Sequence, residues 1–300
     1  MDGSSLSTKR TVERINNAEN KFRNRIEEVA NHILSHGNVR FLTLSGPSCS
    51  GKTTTAAILR ERITGAGRNV TIISIDDFYR DRDDIIADCK ARDIPLDMDS
   101  ITSIDLDELS RFVTSIRAGK RALLPRFDFV TGKRIGYKML WPDSGAVYLL
   151  EGIQAVYPEV TALFGHEEVL RLYISIETGI ENESGVWSPR EIRLMRRLLR
   201  DSIYRGADAS DTFAHWGGVV RNELQNIEPY KDICDEKIDS GMEYELNVMR
   251  DPIIELLSEV GDGDDHAVLA VLLKEKLSMI DSIPKNLVPQ DSMLREFVGE

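Results

Sequence analysis

The chain has 300 residues, with 38 Lys and Arg against 50 Asp and Glu, a formal net charge of −12. An acidic surplus of this size repels phosphate backbones and anionic lipid, which excludes a general binder of nucleic acid or of membrane surfaces. Hydrophobic residues at 41% and charged residues at 29% describe a globular chain with a large core. No uninterrupted apolar run reaches the ~18 residues that span a bilayer. The opening MDGSSLSTKRTVER has no apolar stretch behind its basic residues, so no secretory signal is expected. The three cysteines, Cys49, Cys89 and Cys234, are odd in number, widely spaced and without a CxxC pair; they are expected to be reduced thiols in a cytoplasmic protein.

Residues 11–36 carry Phe22, Ile26, Val29, Ala30 and Ile33 at spacings of three and four, one apolar stripe on a helix that ends at Gly37. Four short runs rich in β-branched residues follow, at 39–45, 70–75, 146–150 and 169–176. A fifth, weaker run at 233–238 is interrupted by Asp235, Glu236 and Lys237. Strands that are apolar without alternation, separated by helical stretches, predict a parallel sheet covered on both faces by helices. A long insertion at 80–145 has a helical patch around 106–116 and then Pro, Gly and aromatic residues, a segment type that commonly carries substrate. Beyond Gly261 come an acidic turn, a helix over 267–279 and a loop. The expected organisation is an N-terminal helical segment (1–38), an α/β domain (39–250) with the insertion and an arginine-rich lid (188–208), and a C-terminal helical extension (251–300).

Residues Gly46-Pro47-Ser48-Cys49-Ser50-Gly51-Lys52-Thr53 fit the pattern GxxxxGK[ST], between the strand-like FLTLS and the helical TTAAILRERI. Two glycines let successive amide N–H groups close around the β- and γ-phosphates of a nucleoside triphosphate. Lys52 adds a point charge at those oxygens, Thr53 offers a hydroxyl to Mg²⁺, and Thr54 continues into a helix whose positive N-terminal end faces the anion. The fold class is therefore a P-loop NTPase, three layers α/β/α around a central parallel sheet, with an added N-terminal helix and C-terminal extension. A phosphate loop alone leaves open a small-molecule kinase, a GTPase switch and a motor or transport ATPase. The absence of NKxD weighs against the switch and the absence of an LSGGQ-like run against the transporter.

Asp76 and Asp77 close the second strand, at the carboxyl edge where parallel α/β folds bind ligands. Either could hold Mg²⁺ through water or accept the proton of an attacking hydroxyl; alternation at a strand end turns only one toward the phosphate loop. Glu151 closes the third strand in VYLLEG and is a second candidate for Mg²⁺, or equally a charge at a helix start. In SPREIRLMRRLLRDSIYR, Ser188, Pro189 and Glu191 form a capping box. Ile192, Met195, Leu199 and Ile203 make one helix face, and Arg193, Arg197 and Arg200 another, either a solvated stripe or a cationic lid over a migrating phosphoryl group.

Taken in order, the phosphate loop, DDFY, LLEG and the arginine helix resemble the uridine kinase and phosphoribulokinase family of P-loop kinases, across roughly residues 40–250. The tail DSGMEYEL and SMLREFVGE is similar to a bacterial, uridine kinase-like branch. The resemblance implies that Asp76 is the general base and that Asp99, in LDMDSITSIDLDEL, holds ribose hydroxyls. In PRFDFVTGKR, which is similar to the family's PxYDFxxHxR loop, it implies that Phe127 and Phe129 lie beside the base with Arg134 nearby. Phe127 stands where a Tyr is usual and Gly132 where a His is usual. RRLLRDSIYRGAD resembles RRxxRDxxxRGR and carries over Arg197, Arg200 and Arg205.

The expected activity is transfer of the γ-phosphoryl group of ATP, with Mg²⁺, to the 5′-hydroxyl of a nucleoside. A kinase for another polyol or a sugar phosphate stays open, as does a regulatory protein that keeps only the nucleotide site. The expected partner is a small-molecule acceptor, without nucleic acid or membrane; monomer and homo-oligomer both stay open.

Overall fold

The computed structural model describes residues 3–94, 96–166 and 168–299. In chain order, helix α1 (Gly3–Ser35) precedes strand β1 (Phe41–Ser45), helix α2 (Lys52–Gly65) and strand β2 (Val70–Ser74). The insertion holds α3 (Arg82–Arg92), α4 (Leu106–Arg117) and strands β3 (Ala122–Asp128) and β4 (Lys133–Leu140). Then come β5 (Val147–Glu151), α5 (Pro158–Thr161), β6 (Val169–Ser175), β7 (Ile180–Asn182), β8 (Gly185–Trp187), α6 (Pro189–Arg205) and α7 (Ala209–Asn222). The chain closes with β9 (Glu236–Asp239), α8 (Glu245–Ser258), α9 (Ala267–Ser278) and α10 (Arg295–Val298).

The five strands expected from sequence form one sheet in the order β2-β5-β1-β6-β9, with every neighbouring pair parallel. The central β1 is buried along its whole length, the consequence of FLTLS having helices on both faces. Two apolar clusters flank the sheet. One joins Leu42 and Leu44 to α1, α2, α6 and α8. The other joins Phe41, Tyr148 and Leu150 to α4 and the base of the hairpin β3–β4.

Several boundaries differ from expectation. The first helix begins at Gly3 and so runs further toward the N-terminus; Phe22, Ile26, Val29, Ala30 and Ile33 are all buried, as their spacing requires. The fifth strand is displaced to Glu236–Asp239 because Ile233 is left exposed. At this sheet edge Glu236 is paired by Arg25 and His32 of α1, which makes its charge compatible with a strand. The boundary drawn at residue 250 falls inside α8, and α8 shares its core with α9 and the sheet. The hairpin β3–β4 stands where the sequence predicts only a loop with aromatic residues; its alternating exposure is that of a ribbon with one wet face. On α6, Ile192, Met195 and Leu199 are buried but Ile203 is exposed, since the helix leaves the core at its C-terminal turn.

Candidate active site

The phosphate loop connects β1 to the first turn of α2. Gly46 has φ +159° and its α-carbon lies so close to the neighbouring strand that a Cβ would sit 2.0 Å from the carbonyl oxygen of Ile174. Only glycine permits that approach. Lys52 Nζ donates to Gly46 O (2.9 Å) and Pro47 O (3.0 Å), so its ammonium spans the mouth of the loop. Burial lowers the Lys52 pKa, against the opposing charges of Glu151, Cys49, Glu296 and Asp76.

Ser48, Cys49, Ser50, Gly51, Lys52 and Thr53 line a cavity of about 230 Å³, together with Asp76, Glu151, Arg200, Arg205 and Glu296. A second cavity, of about 330 Å³, is lined by Asp76, Asp99, Phe127, Phe129, Arg197, Arg200 and Arg205, among others. Asp76, Tyr79, Asp99, Ile153, Ser48, Arg200 and Arg205 are common to both cavities, so the two meet at the carboxyl edge of the sheet.

Asp76 and Asp77 occupy a single 3-10 turn directly after β2, and they diverge. Asp76 lines both cavities. Its carboxyl is raised to about 7, first by burial, then by the neighbouring Glu151 charge, with Lys52 opposing. Asp77 instead accepts the Phe127 backbone N–H (3.2 Å) and pins the hairpin to the sheet edge. Burial raises Asp77 as well, partly offset by that hydrogen bond and by Arg126. Glu151 ends β5 in register with Ser74 of β2. Burial raises its pKa, against the pull of Lys52.

In the second cavity Asp99 Oδ2 accepts from Asn222 Nδ2 (3.3 Å) and its carbonyl accepts from the Tyr157 hydroxyl (3.0 Å). Burial and then Asp97 raise its pKa, opposed by Lys52 and Arg197. Phe127 and Phe129 meet Tyr79 in a cluster of edge-to-face rings, with centroids 5.3 to 6.1 Å apart. The Tyr79 hydroxyl accepts from the buried Gln154 amide at 2.9 Å.

The arginine helix divides in two. Arg197, Arg200 and Arg205 gather around the buried Asp201, at 3.0, 2.8 and 3.4 Å, with Arg197 also donating to Ser48 Oγ (3.2 Å). Arg193, expected on the same face, is buried against Glu223 and donates to Ser48 O (3.1 Å). Arg196 is fully buried, forked on Glu245 (2.6 and 2.9 Å), and donates to Cys49 O (3.2 Å). These two arginines hold the carbonyl side of the phosphate loop, and the stripe is not a solvated surface.

Arg134 is not brought to the second cavity. It pairs with Asp105 (3.1 Å), its backbone N–H donates to Asp81 (2.8 Å), and it lines a separate cavity with Arg80 and Asp105. Arg134 is the cross-strand partner of Phe127, beside an irregularity between Arg126 and Phe127, and its ion pair with Asp105 holds its guanidinium in that separate cavity.

Several residues at the site were not identified from sequence. Tyr79 lies inside the DDFY motif and could have been included. Asp201 is likewise the acid of the RRxxRDxxxRGR match, whereas Gln154, Asn222, Arg82 and Glu296 carry no local signal; Glu296 reaches the phosphate cavity from α10, and Met293 beside it packs on Gly51.

A model of the Phosphoribulokinase / Uridine kinase family matches residues 41–246. A uridine kinase of Schizosaccharomyces pombe is 25% identical over 260 residues, covering 83% of this chain and 51% of that protein. The chain thus spans about half the length of that relative. A uridine kinase of Deinococcus deserti is 27% identical over 226 residues, 74% of this chain and 96% of the relative. One of Chloroflexus aggregans is 28% identical over 200 residues, 66% of this chain and 85% of the relative.

Proposed function

The chain belongs to the phosphoribulokinase / uridine kinase family, and on that premise we propose that it transfers the γ-phosphoryl group of ATP to a hydroxyl of a small molecule, the 5′-hydroxyl of a nucleoside being the acceptor its relatives' names favour. The observation that carries this reading is the position of Asp76, a carboxyl shared by the phosphate cavity and a second, aromatic-walled cavity. A nucleotide-binding protein without transfer has no use for that junction.

In the proposed reaction the acceptor hydroxyl oxygen forms a bond to the γ-phosphorus while the bond to the ADP oxygen breaks, and Asp76 takes the hydroxyl proton. Its raised pKa, near 7, suits a base that must accept a proton and release it in each turnover. Lys52 and the loop amides from Gly46 to Thr54 hold the donor phosphates. Asp99 orients the acceptor through its hydroxyls, and Phe127 and Phe129 contact its ring. Arg197, Arg200 and Arg205 close over the transferring group and exclude water.

The residues present also fit Mg²⁺. Asp76 and Glu151 are both raised by burial, and Glu151 adds its charge to the shift at Asp76, a repulsion that a divalent cation relieves. Among the described residues no three His, Cys, Asp or Glu side chains form a ready metal cage. That accords with an ion held by Thr53, one or two carboxylates, phosphate and water. When bound, Mg²⁺ supplies charge neutralisation at the β- and γ-oxygens.

The cytoplasm is the compartment in which three buried cysteines stay free thiols; no helix among the described residues is long and apolar enough to cross a membrane. The test is a coupled ADP-release assay over a panel of nucleosides and sugars. Release that requires an acceptor supports the kinase; ATP binding without acceptor-dependent release contradicts it.

A further inference from the structure

The acceptor cavity contains a cation with no part in the reaction above. Arg82, the first residue of α3, lines that cavity with Met98, Phe127 and Phe129 and does not line the phosphate cavity, so it stands at the end remote from the transferring group. Its backbone N–H donates to Gly132 O and its Nη2 to Phe129 O, both at 2.8 Å, which ties the start of α3 to the β3–β4 turn.

Arg82 has no ion-pair partner among the described residues. The nearby acids are engaged elsewhere: Asp81 accepts the Arg134 N–H, and Asp83 faces Lys133 at 3.5 Å. By contrast the lid arginines share Asp201. The seat for the Arg82 side chain is Gly132. With φ +68°, a Cβ there would come within 2.9 Å of Arg82 Cβ, Nε and Cζ. Any larger residue at 132 displaces the guanidinium, so the glycine in the turn and the arginine across from it form one device.

A guanidinium is a planar fork of donors with no acceptor, matched to two adjacent acceptor atoms in one plane. Here one donor is fixed on Phe129 O, and the rest have no carboxylate within reach. We propose that Arg82 is the specificity-determining residue of the acceptor site, selecting acceptors whose end remote from the reacting hydroxyl presents a pair of hydrogen-bond-accepting atoms. Such a pair is supplied by the O6 and N7 edge of a 6-oxopurine or by the oxygens of a phosphate or carboxylate. The assignment rests on the kinase reading and deepens it. A half-buried charged group that recognises one substrate discriminates against the analogue that leaves it without a partner.

The experiment measures kcat/KM of acceptor-dependent ADP release for two matched pairs that each keep a free primary hydroxyl, inosine against adenosine and glycerol 1-phosphate against glycerol. The enzymes are the wild type, Arg82→Ala, Arg82→Lys and Gly132→Ala. The expected wild-type preference for the member bearing the acceptor pair is about 10-fold or more in one of the two comparisons. Which comparison shows it distinguishes a base edge from an anion. Arg82→Ala brings the ratio close to one with the KM for ATP unchanged, and Gly132→Ala does the same by displacing the guanidinium. Arg82→Lys keeps part of a preference for an anion and loses a preference for a base edge. A wild type without preference in either pair, or a ratio unmoved by Arg82→Ala, overturns the assignment while leaving the kinase reading intact. ADP release that no acceptor stimulates overturns both.

Discussion

Thr54, in the first turn of α2, donates its hydroxyl to Glu296 at 2.6 Å, joining the phosphate loop to α10 across 242 residues of sequence. Around that bond Met293 packs on Gly51, and the Arg196 guanidinium lies 4.9 Å from the centroid of the Phe297 ring. The C-terminal segment is thus part of the support of the phosphate loop, and Glu296 brings a carboxylate into the same cavity as Lys52 and Glu151.

The two roles of this segment separate experimentally. Glu296→Gln keeps an acceptor for Thr54 and removes one negative charge, so ATP binding in the absence of Mg²⁺ is expected to tighten about two- to fivefold, with the gain shrinking as salt rises. Deletion of residues 292–300 removes Met293 and Phe297 as well, and is expected to weaken ATP binding and lower Tm. Titration calorimetry at two ionic strengths together with thermal unfolding reads both. Weaker binding in Glu296→Gln would mean that the carboxylate itself favours the nucleotide.

Arg196 and Glu245 form a buried pair, both fully inaccessible. Removing one partner strands a charge, so Arg196→Leu is expected to cost about 3–5 kcal/mol by chemical denaturation, with Arg196→Leu/Glu245→Leu recovering much of the loss. Both variants also free Cys49 O, so weakened ATP binding is expected to persist in the double variant while stability returns. Full recovery of binding would show that Arg196 does not brace the loop.

The pH dependence follows from Asp76. In its proposed role as base it must be ionised, so acceptor kcat/KM is expected to fall about tenfold per pH unit below its pKa, which is about 7 in the unliganded fold and lower where Mg²⁺ relieves the repulsion from Glu151. For stability the sign runs the other way. A carboxyl whose pKa is raised on folding, from 3.8 to about 7, is held better in its neutral form: its favourable contribution is complete below pH 4 and is lost as pH rises toward 7. Asp76→Asn is therefore expected to match the wild type in Tm at pH 4 and to exceed it by several °C at pH 8. Equal Tm differences at the two pH values would place the Asp76 pKa near its ordinary value.

Asp201 holds three lid arginines at once, and Arg197 also reaches Ser48 of the phosphate loop. Arg197→Ala is expected to lower kcat by about 10- to 100-fold and to change the Kd for ATP only a few-fold, as for a group engaged mainly in the transition state. Equal losses in both would show a group that grips ground-state nucleotide.

The parts of the molecule legible in the sequence are those specified within a few residues. The loop from Gly46 to Thr53, the buried strands, the capping box at Ser188 and Glu191, and the acids ending β2 and β5 all depend on local spacing. What stayed hidden depends on contacts distant in the chain. Periodicity places Arg193 and Arg197 on one face, but only Glu223, 30 residues beyond Arg193, turns Arg193 into a buried strut. Likewise Arg134 is an available cation in the hairpin motif until Asp105 claims it, and Arg82 lies outside every motif that pointed to the acceptor site.

Activation of the acceptor hydroxyl by Asp76 is read from ADP release with and without the best acceptor, in the wild type and in Asp76→Asn. Acceptor-dependent turnover is expected in the wild type, and a loss of about 10²- to 10⁴-fold in kcat in the variant with ATP affinity preserved. Near wild-type turnover in Asp76→Asn, with ATP still bound, would contradict it.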